Sequence, residues 1–247
     1  MNPFTKPSRW KDLYFYQKIK IYGKNLTSFH SQYVDKLNAK KIVKDILGCK
    51  IEVPKVIKIL KNIDDIYQTD INSNHILKSG HGSGWDCDMN KVNDLFNLKN
   101  KLKLWNKLYN PDNEYQYKYL KPSFFIEEKI NDKILGKTGD AIAYRFRCIY
   151  GEIVAIGVEY GIITDHYDIN WNLISPRKID INIPKPANLP ELLDISRILS
   201  KPFEFVRLDY YLSIDNKIYF SEYTFTPNAG KPIFNDELEK TLSINWM

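Results

Sequence analysis

The stretch FEFVRLDYYLSIDNKIYFSEYTFTP, residues 203–227, holds two carboxylates whose spacing could bring them together. If Asp215 and Asn216 form a two-residue hairpin turn, Asp209 falls opposite Glu222 and Arg207 opposite Thr224. The other face then pairs Val206 with Phe225, Leu208 with Tyr223 and Leu212 with Tyr219, an apolar layer fit for a core. Facing carboxylates have Cβ atoms about 4.5–5.5 Å apart and repel, so a cation would relieve them. One candidate is Arg207, one pleat from Asp209 on the same face. The other is Mg²⁺, commonly held by one or two carboxylates plus substrate phosphates; an all-oxygen site with no nearby Cys or His cluster favours it over zinc. A salt bridge to Arg207 alone would leave Glu222 without a partner, which favours the ion.

A second stretch, HILKSGHGSGWDCD from residue 75, places Gly80, Gly82 and Gly84 within five positions just after Lys78. A Walker-type loop puts its lysine after the glycines, so this is not one. Lys78 at the end of a strand could instead reach over a loop whose backbone N–H groups face an anion, with glycine allowing positive φ and close approach. An ordinary connecting turn is the alternative. His81 and Trp85 read as packing and capping residues.

The elements that must carry these residues alternate in period. Apolar positions Leu37, Ala39, Ile42, Val43, Ile46 and Leu47, with Asp35 as cap and Gly48 as stop, predict a helix over 36–47. A second helical pattern runs from Val92 to Leu108, and a third begins near Asn188 with Pro190 in its first turn. Strand patterns occupy 75–78, 123–130, 141–150, 152–160, 203–213 and 217–225. The fold class is α+β or mixed α/β; 109–122 and 161–188 read as connections, and no internal repeat is present.

The chain of 247 residues, 43% hydrophobic, is long enough for one large domain or two lobes. Three widely spaced cysteines and four dispersed histidines offer no disulfide framework and no zinc pattern. The net charge of +6 is scattered, which suits an anionic ligand and gives little support to nucleic acid as partner. No run approaches the roughly 20 apolar residues of a membrane span, and the start lacks a signal-peptide core, so the cytoplasm is the expected location.

The pieces resemble the ATP-grasp superfamily, most closely the branch similar to teichuronopeptide-biosynthesis ATP-grasp proteins, often labelled glycosyltransferase-like. The stretches that carry the resemblance are VDKLNAKKIVKDILG at 34, ILKSGHGSG at 76, KPSFFIEEKI at 121, RFRCIYGEIVAI at 145 and FVRLDYYLSIDNKIYFSEYTFTPNAG at 205. It implies an α+β, ATP-grasp fold of two lobes enclosing ATP: an N-terminal segment 1–34, a lobe over 35–130 and a lobe over 131–247. It implies that Lys36 and Lys78 contact the nucleotide phosphates, with Lys40 an alternative to Lys36, and that Gly80, Gly82, Ser83 and Gly84 close over them. Glu127 and Glu128 would lie where main chain meets adenine and an acidic side chain meets the ribose. Asp209 and Glu222 would hold Mg²⁺, and Arg207 would stabilise charge on the transferring group. Many members place an asparagine two residues after the metal-binding glutamate; here that position is Thr224, with Asn228 available from the next loop. The acidic residue expected before an aromatic is replaced by Ala143, a role Asp140 would take.

The activity so implied is an ATP-dependent carboxylate–amine ligase acting through an acyl phosphate, with a saccharide or amino-acid carboxylate and an amine or other nucleophile as substrates, in cell-surface polymer synthesis. A nucleotide-sugar glycosyltransferase using the same carboxylates, or a nucleotide-binding module without catalysis, are the rival readings. Arg145 and Arg147 share a strand face and could bind an anionic substrate. Substrate specificity is expected from 1–34 and 161–188.

Overall fold

The structure, a computed structural model, describes residues 4–109, 112–135, 141–161, 163–174 and 183–247. Near its start, apolar residues recur every three or four positions: Phe15, Ile19 and Tyr22 are buried on α1 (Phe15–Lys24), which leads into α2 (Ser28–Val34). Helix α3 (Lys36–Leu47) has the bounds its sequence predicts. The Asp35 carboxylate accepts the N–H groups of Leu37 at 3.0 Å and Asn38 at 3.1 Å, and Gly48, at φ 58°, ends the helix.

The smaller sheet contains β1 (Val56–Leu60), β2 (His75–Ser79), β3 (Asp86–Asp88) and β4 (Phe124–Glu128), antiparallel in the order β1-β4-β2-β3. Leu98 and Leu102 of α4 (Leu95–Trp105) join Leu60, Ile66, Leu77, Met89, Phe124 and Ile126 in a core of its own. The larger sheet contains β5 (Ala143–Ile149), β6 (Glu152–Tyr160), β7 (Ile163–Tyr167), β8 (Phe205–Leu212) and β9 (Ile218–Thr224), in the order β7-β6-β5-β8-β9. Helix α5 (Leu189–Ser200) packs on β5, β6 and β8, while α6 (Asp236–Ile244) meets α1 and β6. Residues alternate across this sheet: Tyr144, Phe146 and Cys148 of β5 and Val206, Leu208 and Tyr210 of β8 enter the large core. Arg145, Arg147, Arg207 and Asp209 therefore share the other face.

Three details depart from the sequence expectations. Residues 161–188 are not all connection, because β7 adds an edge strand there. Ala39, Val43 and Leu47 of α3 bury with the larger core, so α1, α2 and α3 together cover the second sheet, although α3 follows a boundary drawn at residue 35. The hairpin loop has three residues, Ile214–Asn216, closed by the Ser213 N–H to the Lys217 carbonyl at 3.1 Å, with Asn216 at φ 60°. Near the loop this shifts the pairing, matching Leu212 with Ile218 and Tyr211 with Tyr219. A bulge between Asp209 and Tyr210, with Ser221 as the extra residue on β9, restores the expected pairs Asp209–Glu222, Leu208–Tyr223 and Arg207–Thr224.

Candidate active site

The glycine loop leaves β2 at Ser79 and returns at β3, so it lies over the sheet edge. The Gly80 N–H donates to the Ser123 carbonyl at 2.9 Å, and a Cβ at Gly80 would stand 2.4 Å from the Ser123 hydroxyl. Gly84 takes φ 68°, which glycine adopts without cost. His81 is a packing and capping residue: the Ser123 N–H donates to its Nδ1 at 3.1 Å, leaving the Nε2 N–H to donate to the Trp105 carbonyl at 3.1 Å. Trp85 stacks against Trp105 and meets Tyr109 edge-on, so it too packs the loop.

Lys36 opens α3 beneath that loop. Its ammonium donates to the Ser79 carbonyl at 3.0 Å and the Gly82 carbonyl at 2.6 Å, so it fastens the loop from inside. Burial lowers its pKa below the ordinary lysine value, with Glu222 opposing that shift. Lys78, on β2, ion-pairs with Glu127 Oε1 at 2.7 Å, and Lys40 takes Glu127 Oε2 at 2.8 Å. Burial alone would lower the Lys78 pKa, but Glu127 outweighs it and holds the ammonium above its usual range. The same two lysines hold the buried Glu127 carboxyl below its ordinary value, against its own desolvation. The side chain of Glu127 thus faces inward between lysines. That of Glu128 stands at the cleft edge, where its Oε1 accepts the Lys55 N–H at 3.0 Å.

Across the cleft, β8 and β9 present the acidic pair. Arg207 donates from Nε to Asp209 Oδ1 and from Nη2 to Asp209 Oδ2, both at 2.7 Å, and Nη2 also reaches Glu222 Oε1 at 3.2 Å. The Thr224 hydroxyl donates to the same Glu222 oxygen at 3.2 Å. Burial works to raise the Glu222 pKa, yet Lys36, Arg207 and Lys78 outweigh it and hold the carboxyl below its ordinary value. Arg145 pairs with Glu159 and lies 3.3 Å from Asp209. Asn228, at φ 53°, sits on the turn after β9 beside Ala229 at φ 51°. Asp140 lies outside the described residues.

Lys36, Lys78, Ser83, Gly84, Glu127 and Glu128 line a cavity of about 970 Å³ whose opposite wall carries Arg207, Asp209, Glu222, Thr224 and Asn228. The expectation that Arg207 would leave Glu222 without a partner is not met, since Arg207 bridges both carboxylates and Thr224 adds a second bond to Glu222. Two facing carboxylates still provide the oxygen donors Mg²⁺ takes when phosphates supply the rest, so the donor set fits that ion once Arg207 shares them. Among the described residues no cluster of three or more His, Cys, Asp or Glu could hold a metal without such help.

Several lining residues carried no sequence signal. Glu114, on the irregular run before β4, accepts from the Thr226 hydroxyl at 2.9 Å and from Tyr109 at 3.4 Å, and burial raises its pKa against both bonds. It joins the loop after α4 to the turn after β9, a contact between segments more than a hundred residues apart that no local spacing encodes. Glu159 was reachable by the alternation of β6, since it shares a face with its partner Arg145.

Residues 16–245 match the family described as TupA-like ATPgrasp, and the chain belongs to it. Its fold is the ATP-grasp fold, and the solved structures it resembles include proteins named as ligases. An L-amino acid ligase from Bacillus licheniformis aligns with a TM-score of 0.50 at 12% identity, over 87% of this chain and 50% of that one. The ADP complex of N5-carboxyaminoimidazole ribonucleotide synthetase gives 0.49 at 9% identity, over 86% and 51%. D-alanine–D-alanine ligase from Bacillus anthracis, complexed with ATP, gives 0.45 at 16% identity, over 86% and 64%. The chain thus spans between half and two thirds of the length of these structures. No curated protein matches it in sequence. Among the described residues no helix is long and apolar enough to cross a membrane.

Proposed function

We propose that the protein is an ATP-dependent carboxylate–amine ligase. The observation that carries this reading is the shared cavity, in which Lys36, Lys78 and the loop through Gly84 face Arg207, Asp209 and Glu222. The substrate carboxylate attacks the γ-phosphorus of ATP, the bond to the β-phosphate oxygen breaks, and ADP leaves with the electron pair. An amine then attacks the acyl phosphate, phosphate departs and the amine gives up a proton. The chain's own contribution is positioning and charge. The loop's N–H groups at Ser83 and Gly84, which line the cavity, and the ammoniums of Lys36 and Lys78 receive the phosphates. The expected Gly80 N–H is instead taken by the Ser123 carbonyl, and neither Gly80 nor Gly82 lines the cavity. Arg207 stands where charge develops on the transferring group. Main chain near Glu127 and Glu128 meets the base, with Glu128 at the cleft edge toward the ribose. Asp209 and Glu222, with Thr224 or Asn228 nearby, would hold Mg²⁺, which supplies charge neutralisation across the phosphate oxygens when bound. The acid is a sugar acid or amino acid destined for a cell-surface polymer, a context that rests on family resemblance, while a cytoplasmic location is inferred from a sequence with no span-length apolar run and no signal-peptide core at its start.

The test is incubation with ATP, Mg²⁺ and pools of sugar acids and amino acids, with hydroxylamine as trap. ADP and hydroxamate together are the expected products. UDP release from UDP-sugars without ADP would replace this reading with a transferase. Nucleotide-induced stabilisation without turnover would replace it with a binding module.

A further inference from the structure

The cleft face of the large sheet holds three arginines, and two of them are accounted for. Arg207 is bidentate on Asp209, and Arg145 is paired with Glu159 and Asp209. The third, Arg147, is 2% exposed, and its Nε and Nη1 have no hydrogen-bond partner among the described residues. It lies directly opposite Arg207 in the β5–β8 pairing, where like charges repel. Its guanidinium carbon stands 4.9 Å from the centre of the Phe234 ring, a weaker partner than a carboxylate. Burial and the two neighbouring arginines lower its pKa to about 9, so it still carries its proton at neutral pH.

The sequence makes room for this side chain. A Cβ at Gly157 would lie 2.7 Å from Arg147 Nη1, so glycine there lets the guanidinium cross β6 toward β7. Phe234 follows Ile233, which lines the cavity with Arg207 and Asp209. The buried cation is thus the strand neighbour of the cavity-lining Arg207, set behind the lining itself, and Asp209 and Glu159 act on it without hydrogen-bonding its Nε or Nη1. Leaving a charge unpaired in such a place costs stability, and an incoming anion would recover that cost.

Resting on the ligase reading, we propose that Arg147 receives a second anionic group of the acid substrate, so that the acid activated here carries a carboxylate or phosphate in addition to the carboxylate that is phosphorylated. Arg147 and Arg207 then act on one molecule. Arg207 attends the reacting end and Arg147 selects the other.

Calorimetric titration tests this without requiring turnover. With Mg²⁺ and a non-hydrolysable ATP analogue filling the phosphate subsite, succinate and inorganic phosphate are titrated separately, and neutral succinamide serves as control. At least one of the two anions should bind, and succinamide should not; which anion binds distinguishes a carboxylate from a phosphate as the second group. Arg147→Met should weaken that binding at least tenfold, Arg147→Lys less, and Arg197→Met, at an exposed site on α5, not at all. Gly157→Ala should weaken it as well by displacing the guanidinium. Unliganded Arg147→Met should melt no lower than the parent, because an unpaired charge has been removed. Equal binding by Arg147→Met, absence of anion binding by the parent, or a clear fall in the melting temperature of Arg147→Met would each overturn the assignment. If the ATP analogue itself fails to bind, the ligase reading fails separately, and the same titrations without it still decide the role of Arg147.

Discussion

Glu127 serves two buried lysines at once, and its loss should be felt more than that of any single surface charge. Glu127→Gln would leave Lys40 and Lys78 buried without a counter-charge, which is expected to cost roughly 3–5 kcal/mol, measured by urea denaturation. A change under 1 kcal/mol would show that water or another group already serves these lysines. The acidic pair makes a different prediction, because Asp209 and Glu222 are held by Arg207 at the cleft wall instead of being packed in apolar surroundings. Asp209→Asn and Glu222→Gln should each abolish ADP formation while circular dichroism shows the fold retained, with Asp209→Asn also lowering the melting temperature because it strips the buried Arg207 of its bidentate carboxylate. Full activity in either variant would remove that residue from the ion's coordination. His30 gives a pH prediction. It sits among Tyr22, Phe29, Phe203 and Phe225, and burial lowers its pKa to about 4 from 6.5. Since the unfolded chain binds this proton more readily, stability due to neutral His30 is complete above about pH 6.5 and drains away as pH falls toward 4. The melting temperature should drop across that window, and His30→Gln should flatten that part of the profile.

At the scale of elements, backbone strain is concentrated where the chain turns from β9 into the cleft. Asn228 and Ala229 both occupy the left-handed region, followed by Gly230 at φ 68°. An L-residue pays conformational energy there that glycine avoids, so Ala229→Gly should stabilise the fold by about 0.5–1 kcal/mol, net of the greater freedom glycine has when unfolded. A lower melting temperature would show that the Ala229 methyl group packs usefully. The same region shows what sequence can and cannot convey. Helix α3 was legible to the residue because cap, apolar period and stop agree. The pairing of Asp209 with Glu222 was also legible, although a three-residue loop and a bulge at Ser221 produce it where a two-residue turn had been expected. Two one-residue departures cancelled, so the arithmetic was right at the carboxylates and wrong near the loop. Helix α6 could have been found from Asn235, whose side chain accepts the Leu238 N–H at 2.9 Å ahead of Leu238 and Leu242. Strand β7 was hidden by the polar composition of an edge strand, and the Lys40–Glu127–Lys78 group by its reliance on contacts between α3, β2 and β4.

At the scale of the molecule, two cores of unequal size predict unequal stability. The small sheet and α4 enclose eight buried apolar residues, whereas the large core joins the N-terminal helices, the five-stranded sheet, α5 and α6. Hydrogen exchange should therefore be faster in β2 and β3 than in β5 and β8, and Mg-ATP should slow it across 79–86. Uniform protection throughout, unchanged by nucleotide, would contradict both the division of cores and the nucleotide site.

The ion pair between Lys78 and Glu127 has a bearing on turnover as well as on folding. In a ligase cycle the cleft must give up a highly charged product, and a lysine stranded by that departure would hold on to it. Here a carboxylate waits 2.7 Å from the ammonium before any phosphate arrives. On the ligase reading, Glu127 would take up that charge again as ADP withdraws, so the Lys78 ammonium would not be left without a counter-charge between rounds.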